Sequence, residues 1–326
     1  MKALRLQKKD FVQVAGPDCK TFLQGQVSCN MELLSPSQSL TGVLCNLKGR
    51  VIADFRAIEV NGGVWLQTEN GMGQPLIDVL SKYAVFSKVE ISLLTGAGFT
   101  AGVFGESAGQ GLATLTPIPE DAVPSQQNQA WLNEDFAVVR LPVGSNSGER
   151  FEVIALKDTG ESLIEELVIQ AEPATKAQWL RLDIEAGVIH VQPQESEQYT
   201  PQLLNYDVSG VIDFKKGCYT GQEIVARMFY RSTAKKRLAL LEGNVHISAT
   251  HKLSYSEKGK QHSAEILRYD NGTEKQSSAV ALSIVGTEAL ASELAPQLIL
   301  EMDDGSTQAV NNEDSSLKFL TLPYTK

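Results

Sequence analysis

The chain reads as an α+β protein of two or three units ending in a small antiparallel β-barrel. Three observations predict this. Residues 1–70 are short apolar segments broken by Gly, Asn and Pro turns; residues 88–172 interleave strand-like and helix-like segments; everything after Arg231 is short apolar stretches between turns, with one helical run. A length of 326 residues lets each unit bury its own core. The expected division is 1–235 as one module, carrying an α+β (ferredoxin-like) lobe over roughly 88–172, and 236–326 as the barrel.

Taken in order, Phe11-Val-Gln-Val alternates as a strand should and ends in the turn Ala15-Gly16-Pro17-Asp18. Asp18 is placed to cap a helix through Gln24. Gly42-Val-Leu-Cys45 and Val51–Val60 flank Asn46-Leu-Lys-Gly-Arg50, which predicts a hairpin turned at Gly49. Asn61-Gly62-Gly63 opens a second hairpin into Val64-Trp-Leu-Gln-Thr68. Leu76, Ile77, Val79, Leu80 and Tyr83 have helical spacing over 73–83. From Lys88 a strand leads into Gly96-Ala-Gly98-Phe-Thr-Ala101, formally a dinucleotide-binding fingerprint. The text after it, Gly102-Val-Phe-Gly105, reads as a strand, so the helix that would receive a pyrophosphate is missing. Residues 109–150 read as long loops around the strand Phe136–Leu141, and Glu161–Ala171 as an amphipathic helix. Leu238–Leu241, Lys252–Tyr255, Ala264–Tyr269, Ser278–Val285 and Leu298–Met302 are the barrel strands, with a helix at Glu288–Leu294.

Composition excludes several classes. A net charge of −10 argues against an extended nucleic-acid surface, although Lys215, Lys216, Lys235, Lys236 and Arg237 approach a local basic patch. The N-terminus shows no apolar secretory core, and no run approaches the ~20 apolar residues of a membrane span, so a cytoplasmic protein is expected. Cys19, Cys29, Cys45 and Cys218 form no close pair, and His190, His246, His251 and His262 form no metal-binding spacing, so no metal site is expected.

The stretch 175–231 carries the chemistry. Its first half reads as a short, mostly buried helix stopped at Gly187. Glu185 sits at the negative end of that helix, an unfavourable place for a carboxylate unless it is compensated. Arg181, four residues earlier, offers an intrahelical pair; a ligand with two adjacent N–H donors is the alternative. In the second half, Thr220-Gly-Gln-Glu223 before Ile-Val-Ala predicts a capping box, with Thr220 as the cap and Glu223 reaching back. Cys218 lies just outside that helix beside Lys215 and Lys216, a setting that activates thiols, although most free cysteines are small buried hydrophobes.

The run Lys216-Gly217-Cys218-Tyr219-Thr220-Gly221-Gln222-Glu223, with Trp179–Gly187 upstream, resembles the YgfZ family of folate-binding proteins. Phe22-Leu-Gln-Gly-Gln26, Lys48-Gly49-Arg50 and Lys82–Lys88 resemble it too, in the same order, so the resemblance spans essentially the whole chain. That family is related in fold to the T-protein, the aminomethyltransferase of the glycine cleavage system. The resemblance implies a T-protein-like folate-binding module, the lobe and the barrel in a ring around a central opening that holds tetrahydrofolate or another reduced folate. It further implies that Glu185 holds the pterin's aminopyrimidine edge, that Trp179 forms a stacking or wall surface, and that Lys9 or Phe11 takes a second position near the folate. The T-protein's catalytic hairpin reads Gly-Gly-x-x-Asp-Asp; here Gly49-Arg50-Val-Ile-Ala53-Asp54 lacks one glycine and one aspartate. With Ala53 in the catalytic place, aminomethyl transfer by the T-protein route is not expected.

The implied role is in tRNA modification (methylthiolation) and upkeep of iron–sulfur enzymes, with folate and iron–sulfur or tRNA-modifying enzymes as partners and Cys218 as the functional thiol. Two alternatives stay open. One is a folate-dependent one-carbon transferase or demethylase using Asp54 or Cys218. The other is a docking scaffold that presents Lys215 and Lys216 to a partner.

Overall fold

The computed structural model describes residues 1–94, 99–145, 147–257, 260–272, 278–291, 297–301, 307–309, 311–312 and 315–325. The chain opens with β1 (Lys2–Arg5), β2 (Lys9–Ala15) and helix α1 (Cys19–Gln24). Then come the consecutive hairpin strands β3 (Leu40–Cys45), β4 (Val51–Val60) and β5 (Gly63–Glu69), helix α2 (Gly73–Tyr83) and β6 (Glu90–Leu93). The middle of the chain holds β7 (Thr100–Gly105), α3 (Ala108–Leu115), β8 (Ala130–Leu132), β9 (Phe136–Arg140), β10 (Glu149–Ala155), α4 (Asp158–Gln170), β11 (Glu172–Pro173) and α5 (Lys176–Glu185). After irregular turns come α6 (Gln222–Arg231), β12 (Lys236–Gly243), β13 (Lys252–Glu257), β14 (Lys260–Asp270), β15 (Ala279–Gly286) and α7 (Thr287–Ala291). The last strands are β16 (Gln297–Glu301), β17 (Thr307–Ala309), β18 (Asn311–Asn312) and β19 (Ser315–Leu320).

These strands form three sheets. The first is antiparallel in the order β3-β4-β5-β2-β6, and α2 packs Leu76 and Leu80 against its inner face with Val12, Val14 and Leu66. The predicted turns hold: Gly49 and Gly62 take φ +70° and +94°, which only glycine adopts cheaply. The second sheet, β11-β1-β7-β10-β9-β8, builds the lobe with α3 and α4. It borrows β1 from the N-terminus, whereas β6 stays with the first sheet, so the lobe is not the contiguous stretch 88–172. Phe11, Ile58 and Trp65 of the first sheet meet Ala137, Val139 and Ile154 of the second, and this apolar seam fixes the two face to face.

The third sheet runs β17-β16-β13-β14-β15-β12-β19-β18. Its two outermost strands, ending at Ala309 and starting at Asn311, are separated by a single residue. One residue spans only about 7 Å between its neighbours' Cα atoms, so the sheet must curl until its edges meet. That is the barrel the sequence predicts. Leu238, Leu240, Val280, Leu282 and Ile284 of the barrel share a core with Val43, Cys45 and Val51 of the first sheet and with Ile184 and Ile189.

Several local expectations need correction. Asp18 does precede α1, but its carboxylate accepts from the Lys88 amide (2.7 Å) instead of capping the helix. The loop reading of 109–150 misses α3, whose Gly109 and Gly111 lower helix propensity by ~1 kcal/mol each. Packing overrides that cost: Cβ atoms there would lie 3.0 Å from Glu149 Oε2 and 2.4 Å from Met1 Sδ. The same reading misses β8 and the first two residues of β10. The glycine fingerprint at 96–98 lies outside the described residues, but the segment after it is strand β7, as the missing helix led one to expect. No described helix is long and apolar enough to cross a membrane.

Candidate functional site

The three sheets converge on one cavity of ≈ 440 Å³, within the ~300–1,000 Å³ range of small-molecule sites. Strand periodicity supplies its walls. On β4, Ala53, Phe55 and Ala57 belong to the core beneath the first sheet, while Asp54 and Arg56 turn to the opposite face and line the cavity. On β10, Arg150 and Glu152 do the same, with Phe151 and Val153 in the lobe core. Lys9 comes from β2, Glu69 and Gln67 from β5, and Arg268 from β14 of the barrel.

Helix α5 forms the remaining wall, and its geometry decides which acidic residue enters. The helix starts with a capping box between Thr175 and Gln178 and ends in a Schellman motif. Gly187 N donates to Ile184 O (3.0 Å) and Val188 N to Asp183 O (2.8 Å), with Gly187 at φ +67°. Trp179, Leu180 and Asp183 occupy one face and line the cavity. Glu185 lies about 200° round the helix from Asp183, at 100° per residue, and turns away. Its carboxylate accepts from Arg181 Nε (2.7 Å) and from Ser147 Oγ (3.3 Å). Arg181 in turn donates to Ser278 O (2.8 Å) and reaches Asp270 Oδ2 (3.3 Å), tying α5 to the barrel. The structure therefore places Glu185 in the intrahelical pair and Asp183 in the cavity.

Trp179 lines the cavity, with one face already taken. The Arg150 guanidinium lies 4.0 Å from the ring centroid, and the ring packs so tightly on Gly102 that a Cβ there would come within 2.4 Å. Arg150, 1% exposed, also donates to Asp183 Oδ1 (2.8 Å). Glu152 Oε1 accepts from Gln67 (2.6 Å). Among the described residues, the second oxygens, Asp183 Oδ2 and Glu152 Oε2, accept no hydrogen bond. Lys9 forms an ion pair with Glu69 inside the cavity. Burial works against its charge, but Glu69 and Glu152 outweigh it and hold the ammonium above its usual pKa. Phe11, the other residue for that place, is buried edge-on against Trp65.

Nothing in the sequence signalled the pair formed by Asp54 and His190. His190 Nδ1 lies 2.7 Å from Asp54 Oδ2, and the Val191 amide donates to Asp54 Oδ1 (2.7 Å). Burial disfavours the imidazolium, yet the Asp54 carboxylate prevails and raises the His190 pKa. Arg268 holds the segment in place, with paired donors to Glu195 (2.6 and 2.7 Å) and a bond to His190 O (2.7 Å). Arg150 and Glu152 did carry a signal, as charged residues alternating with Phe151 and Val153. His190 carried none, and although the hairpin motif marked Asp54, nothing paired it with a histidine 136 positions away.

The motif around Cys218 sits apart from the cavity lining. Thr220 does not cap α6; its hydroxyl donates to Gln26 Oε1 (2.9 Å), and the cap position is Gly221 at φ +82° with no side-chain bond. Gly221 is required there, since a Cβ would lie 2.5 Å from Asn46 O. Glu223 and Gln222 open the helix, and Tyr219 is buried. Lys216 is not a surface cation. Its ammonium gives its three N–H groups to the carbonyls of Gln24 (2.7 Å), Val27 (2.5 Å) and Cys29 (3.0 Å), and burial lowers its pKa to about 8. Gly217, Cys218 and Lys215 are exposed. Cys29 and Cys45 are buried, which pushes both thiols up to about 12, while Cys19 is partly covered. Cys218 is thus the exposed thiol of the four.

No protein-family model matches the chain. Curated relatives do. A protein named tRNA-modifying protein YgfZ from Klebsiella pneumoniae is 31% identical over 316 residues, covering 96% of this chain and 89% of that one. The protein of that name from Escherichia coli O45:K1 is 30% identical over 315 residues, covering 96% and 90%. That from Hamiltonella defensa is 34% identical over 234 residues, covering 71% and 67%. Among solved structures, the glycine cleavage system aminomethyltransferase T of Bartonella henselae matches with a TM-score of 0.77 over 99% of this chain and 86% of that one, at 18% identity, which establishes the fold. Identity at this level along nearly the full length, on that architecture, means that the chain belongs to the YgfZ family of tRNA-modifying proteins.

Proposed function

We propose that this is a cytoplasmic, tetrahydrofolate-binding accessory protein of tRNA modification, serving methylthiolation and the upkeep of iron–sulfur enzymes, with Cys218 as its functional thiol. The observation that carries the folate reading is the pair of cavity carboxylates with an unused oxygen each, Asp183 Oδ2 and Glu152 Oε2, beside the Trp179 wall. A pterin presents adjacent N–H donors along its aminopyrimidine edge, and carboxylate oxygens are strong acceptors for them. Lys9 supplies a cation at the same cavity. Glu185 acts here through Arg181, positioning α5. Cys218 takes its role from exposure: it is the thiol that a partner enzyme can reach.

Titration with tetrahydrofolate, followed by intrinsic tryptophan fluorescence and by calorimetry, tests this. Asp183→Asn is expected to weaken binding by about tenfold or more, the loss of one charge-assisted bond, and Glu185→Gln by much less. Wild-type affinity in Asp183→Asn, or no response of the wild-type protein, removes the reading. Cys218→Ala is expected to bind folate normally yet fail to restore methylthiolated tRNA in a strain lacking the gene; full restoration returns Cys218 to a structural role.

A second reading, folate-dependent one-carbon transfer, is favoured by the Asp54–His190 pair, which places a carboxylate-oriented imidazole on the cavity wall. Incubation with a methylated amine and tetrahydrofolate, assayed for methylene-tetrahydrofolate, separates the two.

A further inference from the structure

Charge along this chain is unevenly spread. Against a net −10 for the whole, residues 214–237 hold seven basic side chains and a single acidic one, Glu223. The fold uses two of the seven: Lys216 is buried on backbone carbonyls, and Arg237 forms paired bonds with Asp207 (2.9 Å each). The other five, Lys215, Arg227, Arg231, Lys235 and Lys236, are exposed and make no ion pair among the described residues. The same stretch carries three aromatic rings. Phe214 and Phe229 stack at 3.8 Å and 14°, and Tyr230 stands edge-on to both, at 5.9 and 5.0 Å. Phe229 is 39% and Tyr230 67% exposed. Phe229 gains its stack on Phe214 yet stays more than a third exposed, Tyr230 is mostly in solvent, and the residue that anchors α6 in the core is Val225.

From this juxtaposition we infer that the end of α6 with the Phe214–Lys215 turn is a docking platform for an unpaired RNA segment, bases against the Phe229 and Tyr230 rings and phosphates against the five free cations. An acidic protein surface would use the cations and leave the rings idle, whereas single-stranded RNA uses both. The surface is local, which reconciles it with the acidic whole: a platform of this size needs a few phosphates, not an extended field. It lies on the segments either side of Cys218 and apart from the folate cavity, and it rests on the tRNA-directed part of the proposed function.

The test is fluorescence anisotropy with a labelled tRNA anticodon stem-loop, a fully paired RNA duplex of equal charge, and heparin, using the full-length protein. The stem-loop is expected to bind in preference to the duplex. Phe229→Ala with Tyr230→Ala is expected to weaken stem-loop binding on the order of tenfold while leaving duplex binding unchanged. Arg227→Gln with Arg231→Gln is expected to reduce the slope of log K against log salt by about 0.7 for each phosphate no longer neutralised. Circular dichroism and tetrahydrofolate affinity of each variant, expected unchanged, show that the fold is intact. Equal binding of all three polyanions, insensitivity to loss of the rings, or no stem-loop binding at low salt overturns the inference. So does capture of an acidic protein that depends on the arginines but not on the rings. Because folate binding is read separately, a protein that binds RNA but no folate sinks the cavity reading alone, and the converse sinks the platform alone.

Discussion

His190 owes its ionisation to one neighbour. Its imidazole faces a cavity that also presents Lys9 from β2, Asp54 from β4 and Glu69 from β5, with Glu195 and Arg268 behind it. Asp54 at 2.7 Å decides the balance and raises the folded pKa above the ordinary ~6.5. A raised histidine pKa stabilises the fold where the imidazole is charged in both states, and that contribution fades as pH rises through the folded value. His190→Gln is therefore expected to lose most stability relative to the wild type below about pH 6.5 and least above the raised value. Denaturant unfolding at a series of pH values reads this. A difference that is flat with pH, or grows toward alkaline pH, contradicts it. At this scale the sequence misled in one instructive way. Lys216 read as a surface charge beside a reactive cysteine, but its ammonium is consumed by three carbonyls from residues 24–29, nearly two hundred positions away.

Among the elements, α5 is the one on which the site turns. Its stop at Gly187 was legible, because a glycine stop is a local hydrogen-bond problem with a local solution; its burial was not, since of its ten residues only Arg181 and Ile184 are fully buried. Nor was its rotation. Whether Asp183 or Glu185 enters the cavity is a matter of about 200° of helix, and the contacts that set it, Trp179 on Gly102 and Arg181 on Ser278, come from other sheets. Gly187 then reverses the chain so that Ile189 and His190 run back along the cavity. A side chain there would need φ +67° and would strike Leu322 and Tyr324, at 2.6 and 2.7 Å. Gly187→Ala is expected to destabilise the protein by about 2–3 kcal/mol, strain and overpacking together. Gly210→Ala, at φ +86° with nothing near its Cβ, serves as the strain-only comparison and is expected to cost about 1 kcal/mol. Equal losses in the two variants would rule out the packing argument.

For the molecule as a whole, the cavity exists because three sheets present charged faces to one another instead of closing on an apolar core. Arg150, Glu152, Asp54 and Arg56 are each less than a tenth exposed, and each is compensated by an opposite charge, a hydrogen bond or an aromatic ring supplied from another segment. The barrel is fastened to this assembly by buried charge as well. Arg181, 5% exposed, links Glu185, Asp270 and Ser278. Removing one member of such a network strands the others, so Arg181→Ala is expected to cost about 3 kcal/mol and to accelerate hydrogen exchange in β14 and β15 beyond that in the lobe. Uniform acceleration across all three sheets would show that this network does not act as a fastening.

The amino-acid sequence by itself determined the class of the protein: hairpins at Gly49 and Gly62, the helices over 73–83 and 161–171, the barrel strands after Arg231, and a motif that names the family. Turn chemistry and apolar periodicity act over a few residues, so they can be read without knowing the partners; side-chain caps could not, because Asp18 and Thr220 are drawn off by Lys88 and Gln26. Only the tertiary structure decided the site. It turned Asp183 inward and Glu185 outward, joined Asp54 to His190 across 136 positions, spent Lys216 on backbone carbonyls, and left Cys218 in the open. Burial, pairing and ionisation are properties of neighbours, and neighbours brought together from distant positions by three sheets leave no local signature in the chain.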